Sequence, residues 1–296
     1  MHFVALQPCS VVGVNRFSRQ GLVFDLEDSG PAEAEAVAVL LHGWPQDRTA
    51  WDRVTPLLVA GGLRVLALDQ RGYSRGARPP GTAAYRVREL VADVAALLDE
   101  AGVARAHLVG HDWGGAVAWA FAERHPERLG SLTVLSTPHH RAMAWALRHG
   151  DQARRSWYMA AFQVPVVPEM VLRRTLPHVL RRSGLPEQDA QRYAARFRQP
   201  GAAAAGLAWY RALRNPLRGN GSVDSGPNGE RRRITVPTTY LWGRHDPVLG
   251  RAAAERTARW VASDYRFVEL DAGHWLPETR PQDVAAAVLS HAGDVS

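Results

Sequence analysis

Asp112 is the side chain with the most chemical promise in this chain. It stands in Gly110-His111-Asp112-Trp113-Gly114, after the apolar run Ala106-His107-Leu108-Val109 and before a small-residue helical pattern over 116–123. A nucleophile on a Gly-x-Nuc-x-Gly turn between strand and helix takes strained backbone angles that lift its side chain above a sheet. Small residues two before and two after it let strand and helix close up. The turn also puts the Trp113 N–H at a helix N-terminus, where it stabilises an anion. Asp is equally at home as a plain helix N-cap, so the turn alone leaves both readings open. Three further segments bear on the choice. His42-Gly43-Trp44-Pro45 follows Val37-Ala38-Val39-Leu40-Leu41 and offers the Trp44 N–H as a second donor. Asp246 lies in Gly243-Arg244-His245-Asp246-Pro247, just past Thr238-Thr239-Tyr240-Leu241-Trp242. His274 lies in Asp271-Ala272-Gly273-His274-Trp275, past the pattern at 265–270. Each sits at an expected strand end. Together they supply a carboxylate to attack, a histidine base and an acid to orient that base.

Those side chains need a frame that brings strand ends together. Strand patterns (37–41 and 64–68 as buried apolar runs, then 106–109, 132–135, 238–242 and 265–270) alternate with helical spacing at 51–58, 87–98, 116–123, 252–261 and 283–291. The alternation predicts an α/β fold, a mostly parallel central sheet flanked by helices. After Pro138 the strand signal stops until about Arg233, and the stretch is rich in Arg, Ala and aromatics. It reads as an inserted helical cap over the strand ends. The expected organisation is therefore core 1–138, cap 139–233 and core 234–296. Residues 219–229, rich in Gly, Asn, Ser and Pro, read as a loop. No internal repeat is present.

Composition narrows the class. The chain has 296 residues, 46% hydrophobic, enough for one large folded core. The lone cysteine, Cys9, excludes an intrachain disulfide and suits a reducing cytoplasm. No Gly-rich elbow surrounds it. Residues 1–14 are apolar but contain Pro8 and no basic leader, so no signal peptide is expected. No apolar run of about 18 residues predicts a membrane span. The net charge of +7 arises without a single lysine, from 36 arginines against 29 acids. Between 141 and 233 there are 17 Arg against 6 acids, leaving 19 Arg against 23 acids elsewhere. A solvated basic helical surface accounts for this better than a phosphate-binding face, so no nucleic acid and no membrane partner is expected. The sharper alternative is attraction of an anionic or phenolic substrate, or of an acidic surface.

The chain resembles the α/β-hydrolase superfamily over nearly its whole length, in the order nucleophile, acid, histidine. More closely it looks like the soluble epoxide hydrolases and the related haloalkane dehalogenases, which use Asp where esterases use Ser. The segment Asp69-Gln70-Arg71-Gly72-Tyr73-Ser74-Arg75-Gly76 is similar too and reads as a structural loop. In those epoxide hydrolases two cap tyrosines hold and protonate the epoxide oxygen. Tyr158 stands four residues before Phe162-Gln163-Val164-Pro165, as the first does. Tyr210 lies in Ala208-Trp209-Tyr210-Arg211, with Ala208 for the usual Asn. Trp44 replaces a usual Phe, which leaves its backbone N–H in service. The resemblance implies catalysis by Asp112, His274, Asp246, Tyr158 and Tyr210, with Trp44 and Trp113 as the oxyanion hole. Trp157, Phe162, Trp209 and Trp275 are the expected pocket residues. It also implies a small-molecule epoxide and water as reactants, and no cofactor or metal. The alternatives are haloalkane or haloacid dehalogenation by the same triad, hydrolysis of a natural-product ester or epoxide, and a hydrolase fold kept as a binding or structural protein. The indoles of Trp113 and Trp157, as halide donors, would serve the first of these.

Overall fold

The computed structural model describes residues 15–213 and 233–292. Cys9 and the 219–229 stretch lie outside the described residues. Eight strands form one sheet: β1 Arg16–Arg19, β2 Leu22–Ser29, β3 Val37–Leu41, β4 Arg64–Leu68, β5 Ala106–His111, β6 Leu129–Leu135, β7 Thr238–Gly243 and β8 Tyr265–Leu270. Their order is β1-β2-β4-β3-β5-β6-β7-β8. The β1-β2 and β2-β4 pairs are antiparallel, and every pair from β4 through β3 to β8 is parallel.

Burial follows position in the sheet. Strands β3, β5 and β7 are buried at every residue, as expected where helices cover both faces. The edge strand β8 places Arg266 and Glu269 in solvent, which discourages further strand pairing. The β1-β2 hairpin has no counterpart among the expected strands. Its connection is Gln20-Gly21, both with positive φ (52° and 76°), the geometry of a tight two-residue hairpin turn. Acidic residues interrupt the Leu22–Ser29 pattern, which weakens its strand signal.

The helices of the first core segment are α1 Thr55–Ala60, α2 Val87–Glu100 and α3 Trp113–Arg124. The helical pattern at 51–58 resolves into a 3-10 turn, Arg48–Trp51, and α1, which restarts at its first-turn Pro56. Between β6 and β7 the described residues hold only helices: α4 His140–His149, α5 Gln152–Arg155, α6 Trp157–Ala161, α7 Val167–Arg182, α8 Glu187–Phe197 and α9 Ala202–Ala212. Helices α7, α8 and α9 pack on one another. By contrast, α4 packs on α10 Arg251–Arg256 and the Thr257–Trp260 turn, both downstream of β7. The chain closes with α11 Leu276–Thr279 and α12 Pro281–Ala292. Among the described residues no helix is long and apolar enough to cross a membrane.

Candidate active site

Four loops leave the carboxyl ends of β3, β5, β7 and β8 and meet at one place, where ligands of parallel α/β sheets generally bind. Asp112 ends β5 with φ 48° and ψ −118°, a conformation rare for a residue with a Cβ. The crossing is tight. A Cβ on Gly114 would stand 2.1 Å from the Leu41 carbonyl oxygen, and one on Gly43 2.4 Å from the Asp112 Cβ. Only glycine permits β3, the elbow and α3 to approach this closely. Thr137 Oγ1 donates to the Asp112 carbonyl at 2.7 Å and braces the turn from the end of β6.

The carboxylate of Asp112 is held on one oxygen and open on the other. Oδ1 accepts the Trp44 N–H at 2.8 Å, and the Trp113 N–H also bonds the carboxylate. Oδ2 lies 3.7 Å from His274 Nε2. Burial pushes the Asp112 carboxyl up, while His274 and the two N–H groups pull it down. His274 Nδ1 is 2.8 Å from Asp246 Oδ2. Asp246 Oδ1 accepts the Val248 and Leu249 N–H groups, at 2.7 and 2.9 Å, which fixes the carboxylate for its histidine. Burial alone would lower His274, but the charges and hydrogen bond of Asp246, joined by Asp112, push it up to about 9.

Tyr158 of α6 and Tyr210 of α9 stand near this pair. The Tyr210 ring lies edge-on to the Trp113 and Trp44 rings, at 5.2 and 5.8 Å, and 6.0 Å from the Tyr158 ring. The Tyr158 and Tyr210 rings meet edge-on, and the Tyr158 ring packs edge-on against Phe162 at 5.4 Å. Burial first, then the Asp112 charge, raises Tyr158; for Tyr210, burial and Tyr158 raise it ahead of Asp112. Both phenols therefore stay protonated. Arg211, the residue after Tyr210, ties the two cap segments together. Its Nε donates to the Phe162 carbonyl at 2.9 Å, its Nη2 to the Val164 carbonyl at 2.8 Å, and it pairs with Glu169.

The other expected residues have different places. Phe162 packs on Tyr210, Tyr158 and Trp44. Trp209 lies behind Trp113, and its indole donates to the Arg71 carbonyl. Trp275 sits edge-on to His274 and donates to Ser183 Oγ. Trp157 is not brought to the site: it is 69% exposed on the outer side of α6. Sequence reasoning passed over His111, Gln46, Ser136 and Glu278, which form a buried polar layer behind the triad. Two of them, Gln46 and Glu278, stand two residues past Trp44 and four past His274. Only that proximity signalled them.

One group elsewhere has donor spacing that a metal ion would need: Glu123, His139 and His140. His139 Nδ1 already accepts the Arg141 N–H, and Arg141 and Arg124 stand in the field of His140. The cluster is packed between cations, a poor setting for a dication.

The α/β hydrolase fold family matches residues 37–281. An AB hydrolase superfamily protein, YfhM, of Bacillus subtilis is 34% identical over 96% of this chain and 97% of its own length. Epoxide hydrolase A of Mycobacterium tuberculosis is 32% identical over 86% and 89%. Among solved structures, epoxide hydrolase A from Mycobacterium thermoresistibile matches with a TM-score of 0.80 and 27% identity, covering 95% of this chain and 98% of that one. A putative acyltransferase from Salmonella enterica matches at 0.78 and 25%, over 93% of each, so the fold alone does not name the reaction. With an elbow carboxylate, its histidine and acid, and relatives of this kind along nearly all its length, the chain belongs to the α/β-hydrolase superfamily, among the epoxide hydrolases.

Proposed function

We propose that this protein hydrolyses an epoxide to a vicinal diol through an alkyl ester of Asp112. The observation that carries the reading is the pair of buried tyrosine rings, 6.0 Å apart, with Tyr210 packed edge-on at 5.2 Å against Trp113 of the elbow, next to Asp112. Asp112 Oδ2 attacks an epoxide carbon, and a C–O bond forms as the ring C–O bond breaks. An alkoxide is a poor leaving group, so Tyr158 and Tyr210 donate to it and one supplies the proton. Oδ1 becomes the ester carbonyl oxygen and already accepts the Trp44 N–H, with the Trp113 N–H at the same carboxylate. His274 then takes a proton from water as the water oxygen bonds to the ester carbon. The two N–H groups stabilise the oxyanion, where one donor is typically worth about 10²–10³ in rate. Collapse breaks the acyl C–O bond: the His274 proton passes to the departing alkoxide to complete the diol, and the proton left on the Asp112 carboxyl returns to the phenolate, which restores carboxylate, imidazole and phenol.

A carboxylate suits this cycle because its ester with sp³ carbon can be hydrolysed, whereas serine would leave an ether. Esterification also removes the Asp112 charge that helps hold the proton on His274. The histidine thus becomes a stronger candidate base only once the ester exists. The Tyr210 ring packs edge-on against the Trp113 indole at 5.2 Å, and Trp157 faces solvent. Both observations favour epoxide opening over halide release. The reactants are a small epoxide and water, and the single thiol supports a cytoplasmic setting.

His274→Ala, mixed with an accepted epoxide, should gain the epoxide's mass on Asp112 by intact-protein and peptide mass spectrometry. Wild-type enzyme in ¹⁸O-water under a single turnover should label Asp112 before the diol. Tyr158→Phe with Tyr210→Phe should slow ring opening by about 10²–10⁴. Diol formation with label arriving directly from water would overturn the ester, and ring opening at the wild-type rate without both phenols would overturn their role.

A further inference from the structure

Glu278 is a buried carboxylate that the reaction as drawn does not use. It lies on α11, four residues past His274, and is 4% exposed. Oε1 accepts from Gln46 Nε2 and from the Tyr193 hydroxyl, each at 2.8 Å. Among the described residues Oε2 has no hydrogen-bond partner. An ionised carboxylate without full compensation is costly in such a place, and an apolar or neutral side chain would be cheaper.

The contacts of Glu278 lead to both halves of the hydrolytic machinery. Gln46 Oε1 accepts the Gly43 N–H at 2.8 Å, and Gly43 precedes the Trp44 N–H that bonds Asp112. The same oxygen lies 2.8 Å from His111 Nδ1, and His111 Nε2 lies 2.9 Å from the backbone oxygen of His274. Ser136 Oγ donates to that oxygen at 2.7 Å. On the far side, Tyr193 belongs to cap helix α8. One polar chain therefore joins the cap, the oxyanion loop and the base. The charged and titratable groups facing Glu278 are Tyr193 and Asp189 from α8 and His274 from its own loop. Burial and the Asp189 charge push Glu278 up to about 7, against Gln46 and Tyr193, which pull it down. The Glu278 charge in turn favours protonated His274.

The geometry points to Glu278 as a positioning residue for ester hydrolysis: it holds Gln46 against the oxyanion loop and, when ionised, stabilises the positive charge His274 gains on taking the proton from water, with Tyr193 of the cap seating it. This inference rests on the Asp112 ester. It concerns only the second step, in which the water O–H proton passes to His274 Nε2 as the water oxygen bonds to the ester carbon.

The test separates the two steps by single-turnover rapid quench with mass detection of the ester, from pH 5.5 to 9. In Glu278→Gln, ester formation should stay within about twofold of wild type, while ester hydrolysis slows by about tenfold, the effect of some 1.4 kcal/mol on a barrier. Ester then accumulates, so kcat and KM fall together and kcat/KM holds. In Glu278→Gln the acidic limb of hydrolysis should lose the contribution of the Glu278 carboxyl near neutrality and keep only that of His274, moved to lower pH because the charge that favours its protonated form is gone. In Tyr193→Phe it should move to higher pH, because a donor to the ionised carboxylate is lost. A purely structural role would shift no limb. Glu278→Gln deletes a buried charge and should melt at or above the wild-type temperature at pH 8; should it fail to fold, the Tyr193→Phe limb carries the test. Hydrolysis in Glu278→Gln at the wild-type rate with an unchanged limb overturns the inference, as does equal slowing of both steps. Absence of any ester in His274→Ala would instead overturn the reading on which it rests.

Discussion

His274 is the residue whose state depends most on its neighbours. Its ordinary value is 6.5, and Asp246 and Asp112 push it up to about 9 despite burial. A histidine that holds its proton more tightly when folded stabilises the fold fully below its unfolded value and loses that contribution as pH rises through its folded one. The window here runs from about 6.5 to 9. The part of stability at stake is about 3 kcal/mol at most. Urea unfolding of wild type and His274→Gln at several pH values in that window measures it. Wild type should lose stability relative to the variant as pH rises; parallel curves would show that Asp246 and Asp112 do not hold the proton. In the proposed reaction the same residue gives up its proton to act as base, and the proposed esterification of Asp112 would remove one of the charges that hold it.

At the scale of elements, the short helix α6 and the end of α9 carry the phenols, and neither is fixed by its own length. Arg211 is the clasp between them, through two carbonyls and Glu169. Gln163 adds a second, its Nε2 donating to the Tyr210 carbonyl at 3.0 Å. Arg211→Ala should cost about 1–3 kcal/mol in urea unfolding. It should also slow epoxide opening in a single turnover by about tenfold, since misplaced acid groups lose more than the bond itself. Arg211→Lys should not restore opening, because an ammonium cannot span the fork. Opening at the wild-type rate in Arg211→Ala would mean that packing of Phe162 on Tyr210 suffices.

Across the whole molecule, the basic segment and the mildly acidic remainder are complementary. Part of the Arg excess lies in a seam between cap and core. Arg196 of α8 pairs with buried Asp69 and with Asp47, and Arg48 shares Asp69 at 2.7 Å. Arg192 reaches Asp52 at 3.0 Å, and Arg53 of the core reaches Asp189 of α8 at 2.9 Å. Arg196→Met removes one of two arginines from buried Asp69 and leaves Arg48, so it should destabilise by about 1.5–3 kcal/mol in urea unfolding, the scale of hydrogen bonds to a charged group, while Arg181→Met, whose partner Glu187 is exposed, should cost under about 1 kcal/mol. Equal costs for the two would show that the seam does not hold the cap down. The sequence-level reading of this charge as a solvated surface thus holds for only part of it.

What the sequence determined by itself is local. The elbow around Asp112 was legible because two glycines and a strand-to-helix change of period lie within a few residues, and the sterics that demand them act over the same distance. Trp44, Asp246 and His274 were legible because each comes a few residues after a strand pattern, and parallel strands put their ends on one side. Tertiary structure alone decided that Trp157 turns outward while Tyr158 beside it turns in, since one residue on a helix is a rotation of about 100° and the cap packing chooses the face. It alone joined Gln46 to Glu278 and Ser136 to the His274 carbonyl, across 232 and 138 residues of chain. Such pairs leave no periodic trace, because the burial that makes them matter is created by the packing of other elements. So Asp112 as a carboxylate on a strained elbow could be read along the chain; the polar layer behind it exists only once the sheet, α8 and α11 have closed around it.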